Sequence, residues 1–157
     1  RIMKSLKYLI VFIFFVSCGY TPIYQNDQIS KFKLETINHT GDKKIGRELL
    51  NNLQRFKDNK SDDIFDLYLT SVKRENIVSK DKKGDPSSYK IELEVNLNLV
   101  GKNNDKKFSK KFMKGTTYNS SENNFELNRY KKKLEKNLTS QLLQEINNFF
   151  GVLQNDL

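Results

Sequence analysis

The 157-residue chain has no tryptophan, one cysteine and one histidine. A single cysteine cannot close an internal disulfide, and with one histidine it makes a poor zinc site. Apolar residues make up only 36% of the chain against 30% charged, which supports one modest core rather than two. Eleven phenylalanines and seven tyrosines supply the bulk that tryptophan does not. There is also no run of apolar residues long enough to cross a bilayer, which takes roughly twenty. The longest such stretch, Tyr8 to Val16, stops well short. No Asp or Glu precedes Cys18, so the N-terminus is purely basic.

What is present is positive charge. The formal net charge is +9, of which Arg1, Lys4 and Lys7 supply three, leaving +6 on the remainder. Such a chain either meets an anionic partner (nucleic acid, phospholipid headgroups, a phosphorylated glycolipid) or simply carries a solvated lysine surface. Lysine and asparagine are so common here that single lysines deserve little weight.

Lys4 and Lys7 followed by Tyr8 to Val16 form the basic and apolar regions of a secretory signal, with Arg1-Ile2 as an extension ahead of Met3. Phe15-Val16-Ser17-Cys18 is similar to a bacterial lipobox, with Phe15 where leucine is usual. In signals of that kind the thiol becomes a thioether to diacylglycerol, and cleavage frees the Cys18 amine, which is usually acylated as well. Each buried methylene contributes about 0.8 kcal/mol, and stable anchoring takes more than one chain. Cys18 is therefore expected to be a lipid attachment point; the competing reading is a buried cysteine ending an ordinary N-terminal membrane helix. Gly19 in place of Asp favours the outer over the inner membrane.

The expected organisation is a signal peptide over 1–17, a lipidated tether over 18–28, and a single domain over 29–157. Ile29 to Ile37 reads as a first strand and Asn38 to Asp42 as a turn. Ile45, Leu49, Leu53 and Phe56 then trace a helical stripe over about Lys44 to Lys57. Ile64 to Val72 is strand-like, and Arg74 to Pro86 reads as a charged loop. From Tyr89 to Leu99 every second residue is apolar, the pattern of a strand with one buried and one wet face. Gly101 to Asp105 is a hairpin loop, and Lys106 to Tyr118 returns as a fourth strand. Asn123 with Glu126 three residues on marks a helix start, and Leu127, Tyr130, Leu134, Leu138, Leu142, Ile146 and Phe149 continue it to about Phe150, where Gly151 stops it. The order β-α-β-β-β-α predicts an α+β two-layer sandwich: a four-stranded, mainly antiparallel sheet with both helices on one face and a polar face left open.

No catalytic constellation emerges, and neither a cofactor nor a metal is expected. Gly41 to Gly46 has the spacing of a phosphate loop but continues Arg47-Glu48, leaving no hydroxyl for magnesium, so a turn entering a helix is expected. His39 reads as a turn residue, Asp62, Asp63 and Asp66 as a solvated acidic turn, and Ser120 and Ser121 as turn residues lacking a base. Lys106, Lys107, Lys110, Lys111 and Lys114 crowd the fourth strand. They either protect an edge strand from unwanted pairing or form a cationic rim for anionic headgroups.

Cys18-Gly19-Tyr20-Thr21-Pro22-Ile23-Tyr24 resembles the opening of the alphaproteobacterial lipopolysaccharide-assembly lipoproteins, the LptE family. The likeness runs on through Ile37 to Gly41, Arg47 to Leu53, Tyr89 to Leu93, Thr117 to Asn119 and the closing helix. The resemblance implies a non-enzymatic outer-membrane lipoprotein, with palmitate or a similar acyl group on Cys18, facing the periplasm. It implies two helices on a four-stranded sheet, placement inside the LptD β-barrel as a plug that assists its assembly, and contact with lipopolysaccharide. The five lysines as lipopolysaccharide ligands are an inference from charge. Two other readings stand beside this one. A different envelope lipoprotein, such as a transporter accessory subunit, shares the anchor. A double-stranded RNA module shares the α-β-β-β-α order but leaves the signal unexplained, so no nucleic acid partner is expected.

Overall fold

The alternating segment forms the centre of the molecule. In the computed structural model, which describes residues 31–157, β3 (Pro86–Gly101) pairs antiparallel with β2 (Ile64–Lys80) on one side and β4 (Lys107–Asn119) on the other. β1 (Lys33–Gly41) lies parallel to β2, giving the order β1-β2-β3-β4. Helix α1 (Lys43–Leu53), prolonged by a 3-10 turn at Gln54–Phe56, carries the chain from β1 to β2. Helix α2 (Asn124–Asp156) follows β4. The α+β two-layer arrangement and its element order are those expected from the sequence. The sheet is mixed, with one parallel and two antiparallel pairs.

Period-two alternation assigns the two faces. Phe65, Leu67 and Leu69 of β2 and Ile91, Leu93, Val95, Leu97 and Leu99 of β3 are buried on one side, against Leu49, Leu53, Leu142, Ile146 and Phe150 of the helices. Four phenylalanines close one end of this core. Phe32 stacks on Phe56 with centroids 5.5 Å apart, and Phe150 meets both edge-on at 5.3 and 5.1 Å, while Phe65 meets Phe32 edge-on at 6.0 Å. Such pairs add about 0.5–1.5 kcal/mol each beyond the area they bury.

Four boundaries differ from expectation, each for a local reason. β1 runs Lys33–Gly41 instead of Ile29 to Ile37, and the expected turn at Asn38 to Asp42 is mostly strand. A register irregularity between Leu34 and Thr36 switches the parity, so buried Leu34 is followed by inward Ile37 and His39. β2 continues through Arg74 to Lys80, where a charged loop was expected. Its partner there is β3, from Arg74↔Glu92 to Lys80↔Pro86, and the turn is only Asp81 to Asp85. Asp81 closes it: its carboxylate accepts from the amides of Lys83 and Asp85, and Gly84 supplies a φ of +91°. Helix α1 proper ends at Leu53 and tightens into the 3-10 turn. Gly151 does not stop α2, which runs on to Asp156. No atom crowds a side chain at Gly151, and Leu153 beyond it is buried, so packing outweighs the glycine's cost.

The expected start of α2 is realised. Asn123 caps it, accepting from the amides of Phe125 and Glu126.

Candidate functional site

The Gly41 to Gly46 segment is a packing corner. Asp42 caps α1, accepting from the amides of Lys44 and Ile45, and so occupies donors a phosphate would need. Gly41 has a φ of +99° and lies against the Ser71 carbonyl, where a Cβ would come within 1.9 Å. Gly46 faces the His39 ring, which a Cβ would meet at 2.1 Å. His39 is thus not a turn residue but an inward strand residue: its Nε2 pairs with Ser71 Oγ at 2.8 Å, and Ser71 donates to the Asp42 carbonyl at 3.3 Å. Burial lowers the imidazole pKa, partly opposed by nearby Asp42. The trio ties β1, β2 and α1 together; Ser71 is buried and Asp42 is spent on its cap, so nothing here is arranged for nucleophilic chemistry. Asp63 and Asp66 accept hydrogen bonds from Asn104 and Thr36. Among the described residues no group of His, Cys, Asp or Glu could hold a metal ion, and no helix is long and apolar enough to cross a membrane.

The sheet face away from the helices is polar and cross-linked. Thr36 donates to Asp66 at 2.5 Å, Thr40 pairs with Thr70 at 3.1 Å, and Ser109 donates to Asn98 at 2.6 Å, each across a strand boundary. At its centre Glu94 is 6% exposed although it is on the open side. Arg74 from β2 reaches its carboxylate at 2.7 Å, Lys111 from β4 at 3.0 Å, and Asn96 at 3.0 Å. The Arg74 guanidinium above all, then Lys111 and Asn96, hold the Glu94 carboxyl down at about 2. One carboxylate therefore joins three strands. Tyr68 and Met113 are the large exposed side chains on this face, at 45% and 52%.

The five lysines are divided, as strand alternation from the sequence predicts. Lys107 and Lys111 project on the open face and Lys110 and Lys114 on the helix side of β4, while Lys106 sits in the preceding loop, its carbonyl accepting from the Gly101 amide at 2.8 Å. Lys111 is bound to Glu94, and Lys114 to Glu145 of α2 at 2.5 Å. Among the described residues Lys106, Lys107 and Lys110 have no acidic partner, so their charge is available to a ligand. β4 is one of the two edge strands of the sheet. Between it and α2 lies an open cleft of about 580 Å³, with Lys110 and Glu145 at its rim and Phe112, Phe149 and Val152 lining it.

Ion pairs also bind α2 to the sheet. Glu135 meets Lys44 at 2.7 Å and Lys73 at 2.9 Å. Burial alone would raise the Glu135 pKa; the two lysines overcome it and leave the carboxyl below its ordinary value. Glu75 likewise joins Lys131, at 2.7 Å, to the Tyr118 hydroxyl, with Lys131 over the stacked Tyr89 and Tyr118 rings. Sequence reading missed Arg74 and Glu94 as a unit. Their association depends on the register of β2 on β3, and Arg74 falls in a stretch with no apolar alternation to mark it as strand.

Cys18 and the tether lie outside the described residues. No family model and no curated protein sequence matches the chain. Among solved structures it is similar to the rare lipoprotein B of Shewanella oneidensis, with a TM-score of 0.62 at 14% identity over 80% of this chain and 96% of that one. It is similar to a minor lipoprotein of Acinetobacter baumannii, at a TM-score of 0.57 and 14% identity over 80% and 93%. The uncharacterized lipoprotein B of Nitrosomonas europaea gives 0.54 and 16% over 80% and 88%. The chain thus shares its fold with several bacterial lipoproteins, along nearly their whole length.

Proposed function

We propose that the chain is a lipid-anchored lipoprotein of the outer membrane, facing the periplasm, that plugs the LptD β-barrel and assists its assembly for lipopolysaccharide transport. The observation that carries this reading is the wet sheet face of a fold shared with lipoproteins. A large barrel has a polar, hydrated interior. A sandwich that leaves one whole sheet face covered with cross-strand hydrogen bonds and a neutralised Glu94 suits such a lumen without a second apolar core. The lipobox-like Phe15 to Cys18 supplies the anchor, and the resemblance from Cys18 to Tyr24 supplies the partner.

In this reading the protein is a structural subunit with no catalytic role. Its contact with lipopolysaccharide falls to Lys106, Lys107 and Lys110, whose charge is uncommitted, rather than to Lys111 and Lys114. The test is extraction of the native envelope in mild detergent followed by isolation through the chain's C-terminus. Retention of a β-barrel protein in stoichiometric amount is expected. Isolation as a lone monomer, with the barrel assembled normally in its absence, would contradict the proposal.

A further inference from the structure

Helix α2 begins well before α1 reaches it. The polar contacts of α1 and its 3-10 turn with α2, Lys44–Glu135 and Arg55–Asn147, begin only at Glu135, well into α2. Up to and just past Glu135, Arg129, Lys132, Lys133 and Lys136 recur at i, i+3, i+4 and i+7, the spacing of one helix face, and all four are exposed. Phe125, one turn before Arg129 on the same face, is 73% exposed.

Among the described residues none of these four cations has an acidic partner. Their spacing sets like charges one turn apart, which destabilises a helix. The lysines that face α2 from other elements, and Lys131 on α2 itself, are compensated: Lys44, Lys73, Lys114 and Lys131 are each paired with Glu135, Glu145 or Glu75. Glu135 and Glu145 of α2 are thus turned to lysines of other elements, and Glu126 is not within ion-pair distance of Arg129. The stripe is a concentration of uncompensated charge about 10 Å long, at 1.5 Å per residue.

We infer that this flank of α2, with Arg129, Lys132, Lys133 and Lys136 and with Phe125 at its head, docks on the anionic phospholipid headgroups of a bilayer. A helix flank is convex, and the cleft beside β4 is lined by later residues of α2, from Glu145 on, so the complement of the stripe is an extended anionic surface rather than a small ligand. Basic side chains near a membrane each gain from its negative surface potential, and an exposed apolar ring such as Phe125 inserts at the boundary between headgroups and acyl chains. A lipid chain and a polybasic patch together hold a protein more firmly than either alone. The inference rests on the proposed lipid anchor to bring the chain to a bilayer, and goes beyond it in assigning α2 a fixed side toward the membrane.

The test uses the full lipidated protein and its partition between vesicles of pure phosphatidylcholine and vesicles of equal phosphatidylcholine and phosphatidylglycerol. The variant R129Q/K132Q/K133Q/K136Q is compared with K57Q/K60Q/K82Q/K83Q, which removes the same charge from exposed, unpaired lysines elsewhere. Wild type and control are expected to prefer the anionic vesicles by roughly tenfold or more at low salt, and the stripe variant to lose that preference with an unchanged circular dichroism spectrum. Equal losses in both variants, or none in either, would overturn the inference. So would a stripe-dependent shift of duplex RNA with no stripe-dependent vesicle preference, which would make the flank a nucleic-acid surface. Binding to pure phosphatidylcholine reads the N-terminal anchor separately, so its absence would count against the anchor and leave the charge effect measurable.

Discussion

The two faces of the sheet solve opposite problems with the same strands. On the helix side β3 sets Ile91, Leu93, Val95, Leu97 and Leu99 against the helical layer, and stability there comes from removing apolar area from water. On the open side the intervening residues are Glu92, Glu94, Asn96 and Asn98: Glu94 is met by Arg74 of β2 and Lys111 of β4 and Asn98 by Ser109 of β4, while Glu92 pairs with Lys90 and Asn96 with Glu94 along β3 itself. The first face fixes the fold. The second keeps its polar groups paired and presents a surface that another hydrated surface can meet. The difference also shows in how tolerant each face is to change, and that can be measured.

The largest effect is expected on the packed side. Phe150→Ala removes a fully buried ring that touches Phe32, Phe56 and Phe149. It should lower unfolding free energy by about 3–5 kcal/mol in urea titration. A loss below about 1 kcal/mol would mean that the aromatic cluster does not anchor α2. On the open side Glu94→Gln should act through pH. The Glu94 carboxyl lies at about 2 when folded against an ordinary 4.5, so its contribution is present above 4.5 and lost as pH falls through about 2. The urea midpoint of the wild type should therefore drop more steeply than that of the variant across that window. Parallel profiles would show that Arg74 and Lys111 do not hold the carboxylate. The smallest effect on stability is expected from Lys107→Glu with Lys110→Glu, two exposed side chains without ion-pair partners, at no more than about 0.5 kcal/mol. The same double variant should bind purified lipopolysaccharide more weakly at low salt, and unchanged affinity would remove these lysines from the proposed contact.

The parts of the fold visible in the sequence are those where burial alternates cleanly. β3 stands between two strands with one face packed along its length, so its pattern marks it almost to the residue. Asn123 with Glu126 announces α2 because a cap is a local arrangement. The extension of β2 over Arg74 to Lys80 is hidden because the helix-side positions leading into it carry charge, Lys73 meeting Glu135 and Glu75 meeting Lys131, and the next one, Ile77, is half exposed rather than packed. β1 is misplaced because a single irregularity at Glu35 inverts its parity. The division of the β4 lysines follows from strand alternation, which places Lys107 and Lys111 opposite Lys110 and Lys114. Their neutralisation does not follow, since Glu94 and Glu145 reach them only through the assembled sheet and helix. The basic flank of α2 is similarly invisible in a chain where lysine is everywhere; what sets those four apart is unpaired charge repeated at one-turn spacing on a single exposed helix face, which needs the assembled structure to see.

The proposed role requires delivery of this sandwich to a membrane through Cys18. Mass spectrometry of the N-terminal peptide of the native protein tests that directly. The prediction is a mature chain that begins at Cys18 and carries a diacylglyceryl thioether with a further acyl group on its amine. A native chain that retains residues 1–17, or begins elsewhere with an unmodified thiol, would contradict it.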